Sequence, residues 1–415
     1  MTLDVRTRRA VDVRALSADE LFDTLLPEAC AAHGDLAARG MAVLDLPSLG
    51  LEVGGTEITL APANGRIGLR PGTADAGTVV ALDPDALSDL VQDTASTMGL
   101  AMNARARITR GDMNDWVGWE PNLRALLDGR PVHEPGAVTF TDRDGRPLDL
   151  TRSFTHGDDP ADMAHFLTQA GFLLLRDVFS EAEMDALAAD IDLWIGRATP
   201  DDGDSWWATD EQGVNQAVRV LCFTEKSETL RTLVADERFR WIGDLPGEGH
   251  RHEGGSEGLV KPLGIVRGLS DLPWHKDCGQ GRHSYRCNAL TCGISVTGAD
   301  RTSGALGVIA GSHRANTLSA GRDRRLDLPA LMLETRTGDV TVHCSDTLHR
   351  AHPPVDRPRK VVYTSFTLPP LAGDEGGRDG GDGRSARAAL SDAQSRIEAA
   401  DNPQSPQRYR AGRGR

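Results

Sequence analysis

The sequence predicts an α+β protein of two domains. Three observations carry this: a length of 415 residues, repeated switching between helical and alternating periodicity, and 45 Gly with 22 Pro that cut the apolar runs into short pieces.

Helical patterning comes first. Leu21, Leu25, Leu26 and Ala29 share a face within residues 14–41. From 51 to 82 the period shortens. Leu51, Val53, Ile58, Leu60, Ile67, Leu69 and Val79 to Leu82 fall in stretches broken by Gly, Asn and Pro, the pattern of a small sheet of hairpins. Asp83 and Pro84 open a helix expected to run to residue 98, with Leu87, Leu90 and Val91 at helical spacing. A short basic strand and a helix carrying Trp116, Trp119, Leu123, Leu126 and Leu127 complete an N-terminal α+β domain over 1–130. Residues 131–162 are rich in Pro, Gly and Asp and read as a linker.

A second domain is expected over 163–370. Asp162 to Gly171 reads as a helix closed by a glycine C-cap, and Phe172 to Leu175 as an apolar strand. Ser180 and Glu183 have capping-box spacing and start a helix whose face continues through Leu187, Ile191 and Ile195. Residues 199–215 are acidic, contain Trp206 and Trp207, and read as a loop or lid. Residues 258–368 are strands and turns with a polar insertion at 311–328, and 371–415 read as a flexible tail.

Composition excludes several function classes. A net charge of −15 argues against broad contact with nucleic-acid phosphates, and 5% aromatic content supplies no stacking platform for bases. No run of 18 apolar residues spans a membrane, and Met1 to Asp12 lacks an apolar leader, so a cytoplasmic protein is expected. Six cysteines are too few for a disulfide framework.

The chemistry centres on Trp274-His275-Lys276-Asp277. In an extended segment, side chains two apart share a face, so His275 and Asp277 can bind one ion from one side. An imidazole with a carboxylate suits Fe(II), and a second imidazole would leave coordination positions open for oxygen chemistry. Gly338-Asp339 opens the strand Val340 to Cys344 and leads to His349, 74 residues beyond His275. His352 is the rival third ligand. Arg359 begins the strand Val361 to Phe366 and can fork onto a carboxylate. Lys261 is a candidate neighbour of that carboxylate or a surface lysine. Trp274 and Trp206 are candidate substrate contacts or packing residues. His343 either faces the core or meets the cosubstrate. Cys278, His283, Cys287 and Cys292 lack zinc-knuckle spacing.

These motifs resemble the phytanoyl-CoA dioxygenase (PhyH) family over about residues 163–370. The likeness rests on Gly171-Phe172-Leu173, Trp274-His275-Lys276-Asp277 and the run Ser303-Gly304-Ala305-Leu306-Gly307 through Gly311-Ser312-His313. It continues with Gly338-Asp339, Leu348-His349 and Asp356-Arg357-Pro358-Arg359. The resemblance implies a double-stranded β-helix (jelly roll, cupin-like), iron on His275, Asp277 and His349, and 2-oxoglutarate on Arg359. It further implies O2 as co-reactant, release of succinate and CO2, and oxidation of an unactivated C–H bond in a small molecule, lipid-like or a natural-product intermediate. Halogenating relatives replace the carboxylate ligand with a small residue; Asp277 therefore favours hydroxylation or a related oxidation. The chain departs from the family at Arg350-Ala351-His352-Pro353-Pro354, and its spacing to Arg359 is one residue short, which leaves Lys360 and Arg357 as alternative clamps. The rival readings are a non-catalytic small-molecule binder and a cupin-type metalloenzyme without a 2-oxo acid. The N-terminal part resembles a sterol-carrier-protein-2-like module in its Thr78 to Ala86 strand-to-helix entry and its Ala104 to Asp112 stretch; the alternative is an extension that buttresses the core.

Overall fold

The computed structural model describes residues 14–268, 270–280, 289–321, 323 and 325–369. The expected tail at 371–415, the candidates His283 and Cys287, and Arg322 and Arg324 of the basic run lie outside the described residues.

The first unit is built on five strands: β1 (Leu49–Val53), β2 (Thr56–Ala63), β3 (Arg66–Pro71), β4 (Thr78–Leu82) and β5 (Ala106–Arg110), in the order β3-β2-β1-β4-β5. The expected hairpins β1-β2-β3 are present. β4, however, lies parallel to β1, with Leu49 opposite Thr78 and Val53 opposite Leu82. A parallel neighbour requires a crossover rather than a tight turn, and hairpin spacing alone does not signal one. The helix Leu26–Leu44 packs on β3 and on the helix Met113–Asp128, burying Leu21, Trp116, Trp119 and Leu126 with the sheet residues Leu51 and Val80.

Asp83 caps the next helix as expected, but that helix stops at Val91 rather than 98. A second one, Thr97–Met102, starts from its own cap, Ser96, whose hydroxyl accepts from Gly99 N. Serine and threonine at 94–97 offer the backbone side-chain partners that compete with a continuous helix.

Residues 131–159 contain no helix or strand element but are not free. Phe154 is buried, pairs its backbone with Leu174 and Arg176, and packs edge-on against Phe166.

The second unit is a jelly roll of two sheets. Its eight-stranded sheet runs β10-β7-β8-β9-β16-β11-β14-β6, made of β6 (Phe172–Leu175), β7 (Ser205–Asp210), β8 (Asn215–Leu221), β9 (Arg251–Lys261), β10 (Ile265–Arg267), β11 (Leu290–Ser295), β14 (Val340–Cys344) and β16 (Arg359–Thr367). The smaller sheet is β13-β12-β15, from β12 (Leu306–Ile309), β13 (Ala330–Leu333) and β15 (His349–Ala351). All pairings in both sheets are antiparallel. The helix Glu181–Arg197 carries the predicted Ser180/Glu183 capping box and packs Met184, Leu187 and Ile191 into the main core.

The loop expected at 199–215 instead carries the strand β7 and the first residue of β8. β7 and β8 form a hairpin whose turn is closed by Asp210 Oδ1, which accepts from Gln212 N at 3.0 Å and Val214 N at 2.9 Å. The acidic residues lie before and within the turn, while Trp206, Trp207 and Thr209 have the aromatic and branched side chains that strands accept.

Among the described residues no helix is long and apolar enough to cross a membrane.

Candidate metal centre

Two short backbone segments bring the metal candidates together. Leu272 to Cys278 runs antiparallel to Ser345 to Ala351, with Ala351 N donating to Leu272 O at 3.0 Å and Cys278 N to Ser345 O at 3.1 Å. At the centre of this ribbon His275 and His349 are directly opposed. Each amide donates to the other's carbonyl at 2.9 Å. On its other edge the HxD segment pairs with 319–321: Lys276 N donates to Ser319 O and Gly321 N to Trp274 O, both at 2.8 Å.

Each imidazole is oriented from behind. His275 Nδ1 lies 2.6 Å from Pro273 O, and His349 Nδ1 lies 2.9 Å from Thr347 O. A carbonyl can only accept, so both Nδ1 atoms carry the proton and both Nε2 atoms present a lone pair, the tautomer a metal ligand needs. His275 Nε2 is buried and has no hydrogen-bond partner among the described residues.

Asp277 completes the group. Its Oδ1 is 3.3 Å from His275 Nε2 and 3.5 Å from His349 Nε2. One ligand atom from each of the three residues lies within 4.8 Å of the others. Burial works to raise the Asp277 carboxyl, but neighbouring His349, His343 and His275 outweigh it and hold it well below the usual carboxylate range. Burial likewise pushes the His349 imidazole well down, aided by the charges of His343 and His275. An ionised carboxylate beside a neutral imidazole is the state that binds a divalent cation. Two imidazoles and one carboxylate fit Fe(II) with open positions better than a thiolate zinc site or an all-oxygen calcium cage.

A small polar cavity of about 10 Å³ is lined by Gly293, Ser295, Thr335, Thr341 and Arg359 among others. Gly293 is needed there for space: a Cβ would sit 2.7 Å from Thr341 Oγ1 and 3.0 Å from the Tyr363 ring. Arg359 is 4% exposed and donates to Gly304 O and, at 3.1 Å, to Tyr363 Oη. The two other clamp candidates point elsewhere. Lys360 Nζ pairs with Asp192 at 2.6 Å, and Arg357 pairs with Asp300 beside the exposed turn.

Lys261 is not a surface lysine. It is 1% exposed and donates to Ser270 O at 2.6 Å, with Asp271 Oδ1 at 3.3 Å. Burial pushes the Lys261 amine down and the Asp271 carboxyl up. The tryptophans are in packing positions. Trp274 projects away from His275 into a small cluster with Ile309, Leu328 and Leu348, under the Arg350 guanidinium at 5.6 Å. Trp206 packs with Ala208, Val218 and Ile265, and Arg219 lies 4.5 Å above its ring. His352 stands outside the group, half-buried against Gly307.

Sequence reasoning left His343 open and missed Thr291. Both reach Asp277: Thr291 Oγ1 donates to Oδ2 at 2.8 Å, and His343 Nε2 lies 3.6 Å from the same oxygen. Strand alternation from Thr341 would have turned His343 inward. Nothing in the spacing singles out Thr291.

Among known proteins, residues 167–360 match the family model described as phytanoyl-CoA dioxygenase (PhyH). No curated protein matches the chain. Among solved structures, apo EctD from S. alaskensis is 21% identical with a TM-score of 0.44, covering 53% of this chain and 82% of that one. AviO1 from Streptomyces viridochromogenes Tue57 is 19% identical with a TM-score of 0.41, covering 51% of this chain and 98% of that one. SnoN, a non-heme alpha ketoglutarate dependent epimerase from nogalamycin biosynthesis, is 19% identical with a TM-score of 0.40, covering 50% of this chain and 83% of that one.

Proposed function

We propose that residues 167–360, which match the phytanoyl-CoA dioxygenase (PhyH) family model, oxidise a C–H bond of a small-molecule substrate with Fe(II), 2-oxoglutarate and O2, the metal being held by His275, Asp277 and His349. The observation that carries the site assignment is the convergence of those three ligand atoms within 4.8 Å, with both Nδ1 atoms tied to carbonyls behind them. The same reading takes 163–370 as the catalytic unit, 1–130 as a separate α+β unit, 131–162 as their connection and 371–415 as a tail.

When bound, the iron with 2-oxoglutarate and O2 supplies the oxidising chemistry and releases succinate and CO2. The residues of the chain bind and orient. The two backbone-anchored imidazoles and the Asp277 carboxylate hold the ion from one side. Arg359, facing the cavity without an ion-pair partner among the described residues, receives the distal carboxylate of the cosubstrate as a charge-assisted pair. Tyr363 fixes the guanidinium from the same strand. Lys261 and Asp271 neutralise one another behind it. No side chain is assigned as a proton donor or acceptor. The substrate is a small molecule, lipid-like or a natural-product intermediate.

The test is anaerobic binding of Fe(II) and then 2-oxoglutarate, followed by succinate formation on admitting O2. Binding of both with succinate release supports the assignment. Absence of 2-oxoglutarate binding to the iron-loaded protein overturns it.

A further inference from the structure

The carboxylate of Asp277 is held from two sides, and the two sides differ in chemistry. Oδ1 faces the Nε2 atoms of His275 and His349. Oδ2 turns to the barrel wall, where it accepts from Thr291 Oγ1 at 2.8 Å and faces His343 Nε2 at 3.6 Å. Thr291 on β11 and His343 on β14 are directly paired across the sheet, so both side chains stand on the same inward face. His343 is 1% exposed, its ring centroid is 4.0 Å from that of His349, and neither of its nitrogens has a hydrogen-bond partner among the described residues. A buried imidazole with both nitrogens unpaired carries a desolvation cost that one small movement toward Oδ2 would relieve.

We propose that His343 and Thr291 form a clamp on the outer oxygen of Asp277 that keeps this carboxylate one-armed, so that a bound metal takes Oδ1 alone. The proposal rests on the reading of His275, Asp277 and His349 as the ligand set. A carboxylate can ligate through one oxygen or both. If Asp277 swung to chelate through both, it would fill a position that the cosubstrate or O2 requires. Thr291 donates its hydroxyl proton from β11, and His343 presents Nε2 to the same oxygen from β14, 3.6 Å away. That swing is costly, because it would break the Thr291 bond and carry Oδ2 away from the imidazole it faces. His343 faces the outer oxygen rather than the one on which the two imidazoles converge, which makes it a positioning residue and not a fourth ligand.

The experiment uses the full-length protein and the variants His343→Phe, His343→Gln, Thr291→Val and the Phe/Val double variant, each checked for parental thermal unfolding. Three quantities are read: Fe(II) affinity under anaerobic titration, the visible charge-transfer band of the Fe(II)–2-oxoglutarate complex, and the number of nitrogens coupled to Cu(II) in the electron paramagnetic resonance spectrum. Loss of either side chain is expected to weaken Fe(II) binding about tenfold, as loss of a partner behind a metal ligand does. It is also expected to shift the charge-transfer band and lower 2-oxoglutarate affinity. His343→Gln, which retains a donor, should recover part of the effect. Two coupled nitrogens are expected throughout. Parental Fe(II) affinity and an unmoved band in both His343→Phe and Thr291→Val overturn the clamp, as does a third nitrogen coupling that disappears in His343→Phe. A parent protein that binds neither metal overturns the ligand set with it, whereas an intact parent with indifferent variants overturns the clamp alone.

Discussion

Arg359 and Lys261 stand directly opposite one another on β16 and β9, both buried; Lys261 pairs with Asp271 at 3.3 Å, whereas Arg359 makes no ion pair among the described residues. The bonds of Arg359 go to a carbonyl and a phenol, both neutral, and its Nε has no partner among the described residues. A buried guanidinium with only neutral partners is a strong anion receptor. Arg359→Ala is therefore expected to weaken 2-oxoglutarate binding by about 100-fold, equivalent to ~3 kcal/mol for hydrogen bonds to a charged group. Lys360→Ala removes only a rim contact to Asp192 and should change it less than about twofold. Anaerobic titration of the iron-loaded variants separates the two, and the reverse ranking would move the clamp to Lys360.

The third ligand can be decided between His349 and His352. His349→Ala is expected to lower Fe(II) affinity by more than the roughly 10- to 100-fold that loss of a hydrogen-bond partner behind a ligand costs. His352→Ala should leave the bound metal stoichiometric. Metal content after anaerobic reconstitution and desalting measures both, and retention of iron by His349→Ala would refute the assignment.

Acid should destabilise the metal-free protein before its carboxylates titrate. Burial holds the imidazoles of His252, His313 and His349 below their ordinary range, and burial with Arg350 and Arg301 pushes His352 down to about 4. An unfolded imidazole protonates near a pH of about 6.5. Below that pH the unfolded chain gains protons that the folded chain refuses, so this contribution is complete above about 6.5 and lost as pH falls toward the folded values. The urea midpoint should therefore be lower at about pH 5.5 than at about pH 7.5. An equal or higher midpoint at the acid value would contradict the burial of these rings.

Gly338 opens β14 at φ +83°, and a Cβ there would lie 2.0 Å from Phe179 O. Gly338→Ala should cost about 2–3 kcal/mol, combining left-handed strain with a backbone collision. Chemical denaturation measures it, and a loss below about 0.5 kcal/mol would show that the turn can relax.

Much of the site could be read in the sequence because its signals are local. His275 and Asp277 share a face through two-residue spacing, and Gly338-Asp339 marks the start of β14. The Ser180/Glu183 cap and the Gly171 stop were equally legible. His349 was reachable through the order of motifs, but its backbone pairing with His275 joins positions 74 apart and has no local mark. The approach of Thr291 and His343 to Asp277 depends on the register of β11 against β14, which a one-residue slip would invert. The parallel placement of β4 beside β1 and the hairpin at Trp206 were hidden for the same reason: pairing partners are chosen by the tertiary fold, and composition near the turn pointed the other way.

The segment bearing His275 is gripped along both edges, by 345–351 on one side and 319–321 on the other. Asn316, just upstream of the second edge, is itself anchored to the first unit, donating to Pro121 O at 2.8 Å and to Arg130 O at 2.9 Å. A cation therefore arrives at a receptor already assembled and surrenders little chain entropy on entry. Stripping and reloading the ion should be a fast, reversible exchange rather than a refolding event.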